Sequence, residues 1–85
     1  MPIGGFVVSV LPEDMERVKE ALKGMIGCDV YEALHGGPRG DSNIVITLET
    51  ATSSEMEQMV EEIKRVDGVL TVDLAYLNIE DEADA

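Results

Sequence analysis

Apolar and polar residues alternate at period two in four stretches of the chain and recur at helical spacing in two others. From Ile3 to Leu11, Phe6, Val8 and Val10 share one face while Gly5, Val7 and Ser9 share the other, the pattern of a strand with one side packed. Pro12 ends that ladder and pre-sets the first turn of a helix, where its missing N–H costs nothing. Glu13 and Asp14 lie at the start, and Arg17, Lys19 and Lys23 follow, matching the helix dipole. Met15, Val18 and Leu22 make its apolar stripe, with Met25 as an extension; Gly24 and Gly27 end it. Cys28 and Val30, continued by Glu32 or Leu34, alternate with Asp29, Tyr31 and Ala33 in a second strand. The breaker-rich run from His35 to Ser42 then reads as a hairpin loop. Asn43 to Thr50 is a third strand with Ile44, Ile46 and Leu48 inward. Thr52-x-x-Glu55 and Ser54-x-x-Glu57 both have the capping-box spacing ahead of a second helix, whose stripe is Met56, Met59, Val60, Ile63 and Val66. Gly68 ends that helix. In the last strand Leu70, Val72, Leu74 and Tyr76 are expected inward, alternating with Val69, Thr71, Asp73 and Ala75.

The element order is β-α-β-β-α-β, and the two halves superimpose at one constant offset that pairs Met15 with Met56, Leu22 with Ile63 and Gly27 with Gly68. This predicts an α+β, ferredoxin-like sandwich: a four-stranded antiparallel sheet with two helices on one face. Right-handed crossovers put both helices on the same side. Residues 1–79 are expected to form a single domain, and residues 80–85 an acidic flexible tail. The uncovered face of such a sheet would gather Gly5, Val7, Ser9, Tyr31, Ala33, Val45, Thr47, Val69, Thr71, Asp73 and Ala75. These side chains are small, apolar or hydroxylic, and an uncovered patch of that kind marks an interaction surface. A partner peptide or a second copy of the chain would fit it, and the sheet edges offer strand addition as a third mode.

Charge narrows the choice. Eighteen acidic residues against six basic ones give a net charge of −12 over 85 residues. Nucleic acid and anionic membrane surfaces are therefore unsuited as partners, and a cationic peptide is attracted. Two Tyr, one Phe and no Trp leave no aromatic platform for bases. Cys28 is the one cysteine, which excludes an internal disulfide; it reads as a small buried hydrophobe. The absence of a basic-then-apolar leader and of any bilayer-length apolar run leads to the expectation of a cytoplasmic protein. His35 stands alone in its loop, Gly36-Gly-Pro-Arg-Gly40 lacks the following helix a phosphate cradle needs, and Arg39-Gly-Asp41 reads as a turn. No nucleophile, metal set or cofactor motif is present, so the expectation is a binding protein and not an enzyme, without metal or cofactor.

Val7-Val8, Gly27-Cys28-Asp29-Val30, Val66-x-Gly-Val-Leu-x-Val-x-Leu-x-Tyr76 and the acidic Glu80-Asp-Glu82 together resemble the NapD family of small chaperones, from about Ile3 to the tail. The Gly4-Gly5 pair and the Gly-rich 36–40 loop depart from that pattern. The resemblance implies a ferredoxin-like fold and binding of the twin-arginine signal peptide of the periplasmic nitrate reductase catalytic subunit, holding back export until the molybdenum cofactor is inserted and the enzyme folded. An acidic domain with a semi-apolar face complements a peptide carrying two guanidinium groups beside an apolar segment. Asp73 is the first candidate partner for an arginine, with Asp29 and Glu49 next. Val7, Ser9, Tyr31, Val45, Thr47, Val69, Thr71 and Ala75 would supply the surrounding contacts. Two readings from other classes share the fold: a small-molecule-sensing ACT-like regulatory module and a homodimeric structural subunit.

Overall fold

The computed structural model describes residues 1–35 and 42–78. The expectations placed on the 36–41 loop and on the acidic tail lie outside the described residues. Strand β1 (Ile3–Val10) leads through a one-turn 3₁₀ segment (Pro12–Asp14) into helix α1 (Met15–Lys23). Strands β2 (Cys28–Leu34) and β3 (Ser42–Glu49), helix α2 (Ser53–Lys64) and strand β4 (Val69–Asn78) follow. The strands form one sheet in the order β2-β3-β1-β4, with every neighbouring pair antiparallel. This is the ferredoxin-like arrangement that the element order predicts.

One core lies between the sheet and both helices. Phe6, Val8 and Val10 of β1 and Ile44, Ile46 and Leu48 of β3 meet Met15, Val18 and Leu22 of α1 and Met56 and Ile63 of α2. Because these strand residues sit two apart, all of them leave the sheet on the helix side. The central strands carry the deepest residues, as their position predicts.

Local chemistry sets the helix boundaries. Leu11 is extended, and Pro12 opens the 3₁₀ turn that delivers the chain into α1. Of the two capping-box candidates, the first is the one formed. The Glu55 N–H donates to the Thr52 hydroxyl at 3.1 Å, and the Ala51 N–H donates back to the Glu55 carboxylate at 3.4 Å. Gly27 and Gly68 both have positive φ, 85° and 102°, in the turns that deliver β2 and β4. Arg17 ties α1 to the second of those turns, donating to the Asp67 carbonyl at 2.7 Å and to the Asp14 carboxylate at 2.9 Å.

The edge strands depart from strict alternation. β2 carries a register shift between Val30 and Glu32, opposite β3. β4 carries two opposite β1, one between the partners of Ser9 and Val10 and one between the partners of Gly5 and Phe6. The extra residues are Tyr31, Leu70 and Ala75, each left out of the pairing as in a β-bulge. A single inserted residue reverses the facing of everything beyond it. Leu70 and Tyr76, expected inward, are therefore about half exposed, whereas Val69, expected on the open face, packs against the core. Ala33 likewise turns inward, and Glu32 and Leu34 turn outward. Val72 keeps the inward facing predicted for it and packs on the core; Leu74 also lies on the helix side, opposite Phe6, but is 56% exposed in a groove beside α2 and is not part of the core.

Candidate functional site

The face of the sheet away from the helices is built of rungs, each crossing the sheet from one edge to the other. Leu34, Asn43, Ser9 and Thr71 form one; Glu32, Val45, Val7 and Asp73 the next; Asp29, Thr47, Gly5 and Tyr76 the third; and Glu49, Ile3 and Asn78 close the series. Residues paired across antiparallel strands project from the same side, so each rung is a contiguous row. Val7 and Val45 make the apolar centre. Beside them the Ser9 hydroxyl donates to the Asn43 side-chain carbonyl at 2.9 Å, which occupies that polar pair internally.

Tyr76 lies over Gly5. A Cβ at position 5 would stand 2.2 Å from the Tyr76 Cε1 atom, so the ring takes the volume that any larger residue would fill. Gly4 does the same for the opposite face, where a Cβ would meet Phe6 and Met56. The glycine pair thus lets an aromatic ring lie against the backbone on each side of β1.

The charge pattern of this face is one-sided. The four strands contain Asp29, Glu32, Glu49 and Asp73, all on the open face, and no Lys or Arg. The described basic side chains, Arg17, Lys19, Lys23, Lys64 and Arg65, all belong to the helices and their ends. Arg17, Lys19, Lys23 and Lys64 pair with carboxylates of that same layer. The helix layer is itself net negative, with nine carboxylates against five basic side chains, but four of those bases sit beside a carboxylate, whereas the strands carry four carboxylates and no basic side chain. On that face Asp73 accepts a long 3.4 Å hydrogen bond from Thr71.

Val7, Ser9, Val45, Thr47, Thr71, Asp73, Asp29 and Glu49 are thus brought together as expected. Tyr31 is on the bulge of β2 with its side chain 79% exposed, and Ala75 occupies a bulge of β4. Val69, and Ala33 of the wider open-face set, are the residues that the structure removes from the face. Glu32, Leu34, Asn43 and Tyr76 join it without having been expected there. Glu32 carried one readable signal: a carboxylate assigned to a core face with no cation to receive it contradicts that facing.

Other chemistry is sparse. Cys28 is buried under the helices, and desolvation, with the negative charge of Asp29 adding to it, pushes its thiol up to about 11. Among the described residues no three His, Cys, Asp or Glu side chains converge as a metal set, and no helix is long and apolar enough to cross a membrane. A separate apolar groove of about 440 Å³ runs between α2 and β4, floored by Phe6, Met56, Val60, Leu74 and Leu77.

Residues 1–81 match the family described as NapD protein. Among solved structures the chain is similar to the solution structure of the E. coli Tat proofreading chaperone protein NapD, with 27% identity and a TM-score of 0.73 over 87% of this chain and 74% of that one. It is also similar to the ACT domain from GTP pyrophosphokinase of Chlorobium tepidum, with a TM-score of 0.60 over 85% of this chain and 95% of that one. Identity there is 11%, so that likeness concerns the fold alone. A comparison with curated protein sequences finds no match.

Proposed function

The chain belongs to the NapD family, a family of chaperones, and we propose that its open sheet face binds the twin-arginine signal peptide of the periplasmic nitrate reductase catalytic subunit. Binding on the cytoplasmic side would mask the export signal until the cofactor is in place and the enzyme folded. The observation that carries this reading is the pairing of an apolar centre, Val7 and Val45, with four carboxylates and no basic side chain among the described residues of the same face. A twin-arginine leader presents the matching pair of features: adjacent guanidinium groups and an apolar stretch after them.

The energetics divide the labour. Exposed ion pairs contribute about 0–1 kcal/mol each, so these solvent-facing carboxylates cannot supply most of the affinity. Burial of apolar peptide surface at about 25 cal/mol per Å² over Val7, Val45 and the Tyr76 ring would supply more. The carboxylates raise the encounter rate and reject acidic or neutral competitors. No step of this function involves bond making or breaking.

Titration of the labelled protein with a synthetic leader peptide tests the reading. Saturable amide shifts should concentrate at Val7, Val45, Thr47, Thr71 and Asp73, and affinity should fall as salt rises. Shifts confined to α1 and α2, or affinity unchanged when both arginines are replaced by glutamine, would refute it.

A further inference from the structure

Glu32 and Asp73 stand at the two ends of one rung, with Val45 and Val7 between them. Both carboxylates also occupy the same place in the internal repeat, each at an equal interval after its positive-φ glycine, Gly27 or Gly68. In each edge strand a bulge between that glycine and the acid brings the carboxylate to the open face. The rung crosses three strand spacings in the order β2-β3-β1-β4, so its ends are separated by about 14 Å.

We infer that Glu32 and Asp73 are the paired acceptors that select two adjacent arginines, one guanidinium at each end of the valine rung. This deepens the reading of the sheet face as the peptide-docking surface and rests on it. Neighbouring Cα atoms are about 3.8 Å apart, and an extended arginine carries its guanidinium about 6 Å from its Cα, so two side chains splayed to opposite sides span roughly 12–14 Å. That span matches the rung only if the peptide backbone crosses the Val7–Val45 centre and runs along the strands. A single arginine, or two projecting from the same side, satisfies one end and leaves the other carboxylate unpaired. Glu49 lies two rungs from Val45 along β3, about 13 Å away, and is outside the reach of either arginine in this placement. Neither Glu32 nor Asp73 has a cation partner among the described residues, so no internal ion pair has to break first.

The test uses the full chain and a fluorescent leader peptide, with affinities from anisotropy at low and at physiological salt. Glu32→Gln and Asp73→Asn should each weaken binding about two- to fivefold, and Glu49→Gln less than about twofold. In double-mutant cycles, loss of one peptide arginine should abolish the effect of one acceptor substitution, and loss of the other arginine the effect of the second. Urea midpoints, expected unchanged for these exposed isosteric substitutions, separate contact from folding. If the peptide binds and Glu32→Gln has no effect, or Glu49→Gln weakens binding equally, the paired-acceptor inference is overturned while face docking stands. If the wild-type chain does not bind the peptide, the docking reading itself falls.

Discussion

Gly4 and Gly5 are neighbours in β1 whose missing side chains point to opposite faces, so the same substitution should have opposite consequences at the two positions. At Gly4 a Cβ would stand 2.7 Å from Phe6 Cε1 and 3.0 Å from Met56 Sδ, and both side chains are almost fully buried. Overpacking of that kind costs about 1–3 kcal/mol, and the lower freedom of alanine in the unfolded chain returns about 0.4–1 kcal/mol. Gly4→Ala should therefore destabilise by about 1–2 kcal/mol, lowering the urea midpoint by roughly 1 M or more for a slope near 1 kcal/mol/M. At Gly5 the clash is nominally worse, 2.2 Å from Tyr76 Cε1, but that ring is 52% exposed and can swing toward solvent. The swing forfeits part of the ring's apolar burial, about 1 kcal/mol, which the unfolded-state term largely offsets. Gly5→Ala should keep its urea midpoint within about 0.5 M and instead weaken leader-peptide binding, because the displaced ring reshapes the open face. Paired equilibrium unfolding and anisotropy titrations read both effects. Equal destabilisation by the two variants, or a Gly4→Ala protein as stable as wild type, would refute the assignment of the two glycines to a packed face and a yielding one.

Further outcomes follow from the same contacts. Gly27→Ala meets both a φ of 85° and the Glu49 carbonyl oxygen at 2.6 Å from the new Cβ; it should cost about 2 kcal/mol or more in urea unfolding, whereas Gly24→Ala, in ordinary helical geometry with nothing nearer than 3.6 Å, should be neutral or stabilising by up to about 1 kcal/mol. Thr52→Ala removes the oxygen that accepts from the Glu55 N–H and should cost about 1 kcal/mol, read by thermal or urea unfolding, with Thr52→Ser restoring most of it. The Cys28 thiol, pushed up to about 11 from 9.0, should resist alkylation at pH 8 in the native protein and react rapidly in denaturant. Because the folded state holds that proton more tightly, its contribution to stability is intact below about pH 9 and declines as pH rises toward 11; a Cys28→Ala variant should lose that segment of the pH–stability profile.

The parts of the fold written in local chemistry are legible in the chain. The Pro12 turn, the Thr52 cap, the two positive-φ glycines and the 15-18-22 stripe of α1 all depend on residues within a turn of one another, and all appear where their spacing places them. Facing along the central strands is equally legible, since β1 and β3 alternate without interruption through their mutual pairing. What spacing cannot register is a bulge, because an inserted residue leaves composition unchanged while reversing the parity of all that follows. That is why Val69 and Tyr76 exchange faces relative to expectation, and why Glu32 was hidden. The expected facing therefore holds at the centre of the sheet, at Val7, Val45, Thr47 and Asp73, and fails at parts of its margins, where edge strands pair on one side only and bulges are most easily accommodated.

The concentration of carboxylates on the sheet also bears on what else could occupy it. Stacking two copies sheet to sheet would set Asp29, Glu32, Glu49 and Asp73 of one molecule over the same four of the other, in an interface from which water is being withdrawn and like charges repel most strongly. A cationic leader relieves that repulsion, whereas a second copy doubles it. The two associations should therefore respond to salt with opposite sign: screening loosens the peptide and lowers the barrier to self-pairing. On this reading the charge of the face disfavours a second copy and favours a basic guest.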